Sequence, residues 1–257
     1  MKNGVLYGIG VGPGDPELMT LKSVRLIEES DILFLPAKSR EECMAYRIAA
    51  QAVGHLAEKE YLCHEFPMVP DKVIMDQAHD EIAKRLAEEL DQGKAIAFLT
   101  IGDPSIYSTY SYVQERLAAD GYKVKTVSGV PSFCAVAARL GIPLGLGAEE
   151  IHILSGYHEG HMLSKQKGLE NDVFHQEDKG TRIYMKSGRQ LETLLHHLQE
   201  EQRINHNICI YLVSYCGTAN ERIVRISYDT NTDNLDYGYM STVIVSCRNN
   251  WKDINAD

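Results

Sequence analysis

The stretch YGIGVGPGDPELMT, residues 7–20, decides how the rest of the chain is read. Gly8, Gly10, Gly12 and Gly14 alternate through it, and Asp15-Pro16 follows at once. The preceding GVLYGIG, residues 4–10, reads as a buried strand. A glycine-rich turn after a strand exposes backbone N–H groups, which suits anions. The spacing here excludes the two familiar phosphate cradles. A dinucleotide fingerprint requires glycine at its sixth position; counted from Gly8 that position is Pro13, and from Gly10 it is Asp15. A Walker loop ends in Gly-Lys-Ser/Thr, and Asp15 stands there instead. A carboxylate and a ring lacking N–H are poor partners for a phosphate.

Outward from this turn, strand and helix signals alternate. DPELMTLKSVRLIEES reads as a helix with Asp15 as N-cap and Pro16 in the first position. Its apolar stripe is Leu18, Leu21, Val24, Leu26 and Ile27. DILFLP (31–36) reads as an interior strand of a parallel sheet. Helical segments follow at 41–53 and 71–91, then the strand KAIAFLT (94–100). Gly-Asp-Pro occurs again in IGDPSIYSTYSYVQERLAADG, where Asp103 is a candidate cap for a helix starting at Pro104 and stopping near Gly121. YKVKTVSG is a strand and VPSFCAVAARLG a helix rich in small residues. This alternation predicts an α/β fold with a mostly parallel sheet covered on both faces. Ligands then collect beyond the carboxyl ends of the strands, where the turns 10–16, 101–107 and 128–132 lie.

The pattern breaks at GIPLGLGAEE (141–150), which suggests an N-terminal α/β domain over 1–145 and a C-terminal α/β domain over 146–257. The second half reads as a strand at 151–155, a polar region at 156–180, a strand at 181–186 and a helix at 188–200. Strands near 207–214, 222–228 and 240–247 follow without long helices between them, so that sheet is expected to be mixed or antiparallel.

Composition narrows the function. With 36 acidic against 26 basic residues the net charge is −10, which speaks against nucleic acid as a partner. A local basic pocket for an anionic small molecule remains compatible with it. No run of eighteen apolar residues exists to span a membrane, and no signal-peptide pattern opens the chain. Six scattered cysteines without a Cys-x-x-Cys pair fit reduced thiols in a cytosolic protein.

With the turns placed, the chain resembles the tetrapyrrole methylases, which methylate cobalamin and sirohaem precursors with S-adenosylmethionine. The resemblance rests on GIGVGPGDPELMTLKSVRLIEESD, FLTIGDPSIYST and VSGVPSFCAVAARLGIPL, with weaker echoes in RIYMK, CGTANERIVR and MSTVIVS, all in family order. The full GDPSIYSTYSYVQERL stretch, with VSGVPSF, is most similar to the precorrin-2 and cobalt-precorrin-2 C20-methyltransferases. The resemblance implies two α/β domains with the active cleft between them, S-adenosylmethionine as cofactor, a small-molecule tetrapyrrole substrate and a cytoplasmic homodimer.

Site residues follow from the same resemblance, each beside a plainer role. Ile101, Gly102, Asp103, Ile106, Tyr107 and Pro131 correspond to cofactor contacts in the N-terminal half, with Ile106 one helical turn beyond Asp103. Ser132, Met185, Tyr215 and Thr242 correspond to the remaining contacts, the last three around adenine and ribose. Asp103 and Ser132 are equally helix caps, and Met185 is equally core. Gly12, Pro13, Gly14 and Asp15 would floor the tetrapyrrole site, with Asp15 and Asp103 as candidates for catalytic work. Tyr107 and Tyr110 divide between core and cleft. Lys38, Arg40 and Arg47 are cations that either meet substrate carboxylates or are simply solvated. His158-x-x-His161 and His196-His197 lack metal-site partners, so no protein metal is expected. Open alternatives are another methylase of the same superfamily, acting on precorrin-4, diphthine or ribosomal RNA, and a non-catalytic tetrapyrrole carrier.

Overall fold

The computed structural model describes residues 4–67, 71–156, 180–232, 238 and 240–246. They group into two compact units, Met1–Pro131 and Ser132–Asp257.

The first unit is built on five strands: β1 (Val5–Gly10), β2 (Ile32–Leu35), β3 (Glu60–Cys63), β4 (Ala95–Thr100) and β5 (Lys123–Val127). Their order is β3-β2-β4-β1-β5, and every pairing is parallel. The helices are α1 (Leu21–Glu29), α2 (Met44–Ala52), α3 (Lys72–Asp91) and α4 (Tyr110–Ala119). On one face Ile9, Leu33, Leu35, Ala97 and Leu99 pack with Ile27 of α1 and Ile48 of α2. On the other, Leu6, Phe34, Ile96 and Phe98 pack with Ile82 and Leu86 of α3 and Val113 and Leu117 of α4. Strands covered on both faces need apolar residues at every position, which is why β2 is ILFL, buried throughout. Burying one such side chain contributes about 1.5–3 kcal/mol.

Two helices start later than the capping signals suggest. Asp15 does accept a hydrogen bond from the amide of Glu17 (2.8 Å), but it caps only the single turn Pro16–Leu18. The chain is extended at Met19 and Thr20, and Thr20 caps α1 by accepting from the amide of Ser23 (3.1 Å). Thr20 wins because Ser23 Oγ is anchored to the carbonyl of Gly10 (2.9 Å), fixing the helix start at the strand end. After the second Gly-Asp-Pro, the helix starts at Tyr110 rather than Pro104. Tyr107, with φ of 48°, interrupts helical continuation there. Ile106 therefore lies in a turn and not one helical turn along, and Asp103 caps no helix.

The second unit contains α5 (Ser132–Leu140), β6 (Ile151–Ser155), β7 (Thr181–Met185), α6 (Leu191–Ile204), β8 (Cys209–Ser214), β9 (Arg222–Ile226) and β10 (Ser241–Ser246). The sheet order is β6-β7-β10-β8-β9. β6 and β7 are parallel, and the other pairings are antiparallel, giving the mixed sheet expected. Leu191, Leu194, Leu195 and Leu198 of α6 cover Ile210, Leu212, Val243 and Val245. Helix α5 packs against β10. Among the described residues, no helix is long and apolar enough to cross a membrane.

Candidate functional site

In the first sheet, β1 and β4 are neighbours whose outgoing connections lead to helices on opposite faces. Open α/β sheets bind ligands beyond the carboxyl ends at such a switch point. The turns after β1, β4 and β5 meet there. The amide of Gly102 donates to the carbonyl of Gly12 (2.8 Å), and that of Val11 to the carbonyl of Thr100 (2.9 Å). A Cβ on Gly129 would lie 2.9 Å from both Gly10 C and Gly10 Cα, and one on Gly10 would lie 2.7 Å from Gly129 N. Only glycine allows main chains to approach so closely. Gly12 and Gly102 also have φ of 76° and 72°, a region costly to other residues.

Asp103 fastens this meeting point. The residue is 9% exposed, and its carboxylate accepts from the amide of Ser105 (2.7 Å) and from Ser105 Oγ (2.5 Å) through Oδ1. Through Oδ2 it accepts from the amide of Gly129 (3.0 Å). Gly12, Pro13 and Gly14 are buried, and Asp15 and Ile106 are half-buried. Ile101 packs partly buried against the core of the α1 face, and Pro131 is half-buried. Tyr107 is 43% exposed, whereas Tyr110 is fully buried. Tyr110 donates to the carbonyl of Lys125 (2.9 Å), and burial pushes its phenol up to about 12.

Lys38 and Arg40 stand on the turn after β2. The Arg40 guanidinium lies over the rings of Tyr46 (5.6 Å) and Tyr61 (5.2 Å). Lys38 pairs with Glu65 at 3.6 Å, both exposed. Arg47 is exposed on α2.

In the second unit, four further candidates share one end of the sheet. Met185 closes β7 and is the register partner of Thr242, one residue into β10. Tyr215 follows the last residue of β8 with φ of 52°, and its amide donates to the carbonyl of Met240 (3.1 Å). Ser132 is the first helical residue of α5 rather than its cap. Its hydroxyl is instead hydrogen-bonded to Thr242 Oγ1 (3.1 Å). Two buried hydroxyls on the same sheet end, Ser187 Oγ and Ser214 Oγ, have no hydrogen-bond partner among the described residues. Both escape a reading by motif, because isolated serines carry no spacing signal.

Among the described residues no cluster of three histidine, cysteine or acidic side chains is arranged to hold a metal. His196 and His197 are exposed on α6, and His158 and His161 lie outside the described residues.

The model for tetrapyrrole (corrin/porphyrin) methylases matches residues 5–230. The chain is similar to the cobalt-precorrin-2 C(20)-methyltransferase of Salmonella typhimurium, with 32% identity over 154 residues, 60% of this chain and 64% of that protein. It is 37% identical over 150 residues to the probable cobalt-precorrin-2 C(20)-methyltransferase of Methanocaldococcus jannaschii, covering 58% of this chain and 63% of that one. These matches span less than two thirds of either relative's length. A precorrin-2 C(20)-methyltransferase from Sinorhizobium sp is 24% identical over 97% of both chains. In fold, the chain is similar to the uroporphyrin-III C-methyl transferase of Thermus thermophilus solved with S-adenyl homocysteine, at TM-score 0.65 and 22% identity, covering 95% of this chain and 97% of that one. With the family match running across 5–230, the chain belongs to the tetrapyrrole (corrin/porphyrin) methylases.

Proposed function

We propose that this protein transfers a methyl group from S-adenosylmethionine to the C20 carbon of precorrin-2 or its cobalt complex, in cobalamin biosynthesis. The observation that carries this reading is that relatives matched at 32% and 37% identity, and one matched over 97% of both chains, bear C(20)-methyltransferase names.

The residues present fit the cofactor. Bound S-adenosylmethionine supplies a methyl group on a positively charged sulfur that is already a good leaving group. A cation is suited by carbonyl oxygens and a nearby carboxylate. The segment from Gly102 to Thr109 forms no helix, so its carbonyls are not committed to a helical ladder.

In this reading Ile101, Gly102, Asp103, Ile106, Tyr107 and Pro131 hold the amino-acid part of the cofactor. Ser132, Met185, Tyr215 and Thr242 hold the adenosine part. Gly12, Pro13, Gly14 and Asp15 floor the tetrapyrrole site, and Pro13 and Pro16 limit the ordering entropy lost on binding. Lys38 and Arg40 meet substrate carboxylates. We assign removal of the ring proton to Asp15, whose carboxylate accepts from the Glu17 amide through Oδ1, whereas both oxygens of Asp103 accept from Ser105 and Gly129. The macrocycle is itself the carbon nucleophile. The chain's task is alignment and exclusion of water, worth about 7–11 kcal/mol when complete. A cytoplasmic homodimer is the working form under this reading, and light scattering in solution tests the dimer.

The deciding experiment incubates the protein with S-adenosylmethionine and either cobalt-free or cobalt-loaded precorrin-2, followed by mass spectrometry and NMR of the product. One added methyl at C20 is expected. No methylation of either form, or methylation of a different acceptor only, overturns the reading.

A further inference from the structure

Helix α5 is fastened at its first residue to β10 and in its last turn to the connection between β8 and β9. At its first residue, Ser132 Oγ is hydrogen-bonded to Thr242 Oγ1 (3.1 Å). In its last turn, Arg139 Nε donates to Glu221 Oε1 (2.7 Å). The other carboxylate oxygen of Glu221 accepts from the amide of Gly217 (2.9 Å). Between them runs the turn that starts at Tyr215. The carbonyl of Tyr215 accepts from both the amide (3.0 Å) and the hydroxyl (2.8 Å) of Thr218. The amide of Glu221 in turn donates to the carbonyl of Thr218 (3.1 Å).

Glu221 thus connects the helix that begins at Ser132 to the turn that holds Tyr215 at positive φ. Its side chain is 15% exposed, against 51% for Arg139. A surface ion pair with a freely exposed partner contributes little. A sheltered carboxylate that also accepts a backbone amide is a stronger constraint. Burial pushes the Glu221 carboxyl up, but the Gly217 amide, the Arg139 guanidinium and the Cys216 thiol outweigh it, leaving the group below its usual range. Glu221 is therefore ionised under ordinary assay conditions.

We propose that Arg139 and Glu221 are positioning residues for the cofactor: they hold the Tyr215 turn and helix α5 in the arrangement that receives the adenosine part. This rests on the cofactor assignment given above. Neither residue is among those assigned above to contact the cofactor or the substrate. Losing them should weaken cofactor binding through Tyr215 and Ser132, with a smaller effect on the chemical step.

The test is calorimetric titration of the full chain with S-adenosylhomocysteine. It compares the parent protein with Arg139→Ala, Glu221→Ala, Glu221→Gln and the double alanine variant. Glu221→Ala is expected to raise Kd about tenfold. Glu221→Gln, which keeps one acceptor, should fall between it and the parent. The double variant should cost less than the sum of the two single losses, as expected for residues acting through one contact. In methylation assays KM for S-adenosylmethionine should rise more than kcat falls. Gln199→Ala controls for general loosening. It removes buried hydrogen bonds to the carbonyls of Ser227 and Thr230 (both 2.8 Å) in the same unit and should leave Kd unchanged. Equal weakening by Gln199→Ala and Glu221→Ala, or parent-like Kd in every Arg139 and Glu221 variant, overturns the proposal. A parent protein that binds no S-adenosylhomocysteine overturns the cofactor assignment itself, a result distinct from both.

Discussion

At the scale of single residues, Asp103 and His79 carry the clearest consequences. Asp103→Ala leaves the amides of Ser105 and Gly129 without their acceptor. Both bonds are part-buried, so the loss is expected toward the low end of the roughly 1–3 kcal/mol for an orphaned group, and a lower urea midpoint measures it. Asp103→Asn retains one acceptor and should lose less. His79, on α3, is 4% exposed and stacks on Tyr112 of α4 at 4.6 Å. Burial, then the nearby Arg116, pushes its pKa down from 6.5, against a smaller opposing pull from Asp76 and Asp80. The folded protein therefore prefers neutral His79. Its contribution to stability is full above about pH 6.5, the unfolded value, and is lost as pH falls from there toward the lower folded value. His79→Phe should flatten the fall in Tm between pH 7 and 5 relative to the parent; parallel curves would remove His79 as the cause. The sequence marks Asp103 through the repeated Gly-Asp-Pro, but its partner Gly129 is 26 positions away, and no local rule links the two. His79 gives no signal at all, because one histidine in a helical pattern does not reveal what it packs against.

At the scale of elements, β2 and β4 were legible because a strand buried on both faces must be apolar throughout. Helix starts were less so. Asp15 and Thr20 are both sound caps, and the choice depends on Ser23 reaching the carbonyl of Gly10, a contact formed only when the strand and helix are packed. Glycine spacing likewise excludes phosphate loops but cannot say which glycines face one another. The close approach of Gly10, Gly102 and Gly129 gives a sharp test. Gly129→Ala forces a Cβ within 3 Å of Gly10 backbone atoms, with an expected loss of about 1–3 kcal/mol, as for overpacking. Gly54→Ala meets nothing within 4 Å and should be neutral or slightly stabilising. Denaturant unfolding of the two variants side by side distinguishes a packing requirement from a general intolerance of alanine.

At the scale of the whole molecule, the α/β class, the parallel first sheet and the mixed second sheet were readable from the strand and helix alternation. The pairing of Arg139 with Glu221, 82 positions apart, was not, because charge patterns report only near neighbours along the chain. The net charge of −10 has a consequence for the proposed polycarboxylate substrate. Like charges repel at long range, and raising salt from about 0.01 to 0.15 M shortens the Debye length from about 30 to 8 Å. The kcat/KM for the tetrapyrrole should therefore rise over that range, whereas a fall would point to a dominant local field from cations such as Arg40 and Lys38. The glycine meeting point behaves differently from such charged features. Where Gly10, Gly102 and Gly129 touch, main-chain atoms form the contact, so there is no rotamer to freeze and no thiol to oxidise. Such a joint is proofed against chemical ageing, and its weak point is heritable: a single base change that gives one of these positions a methyl group.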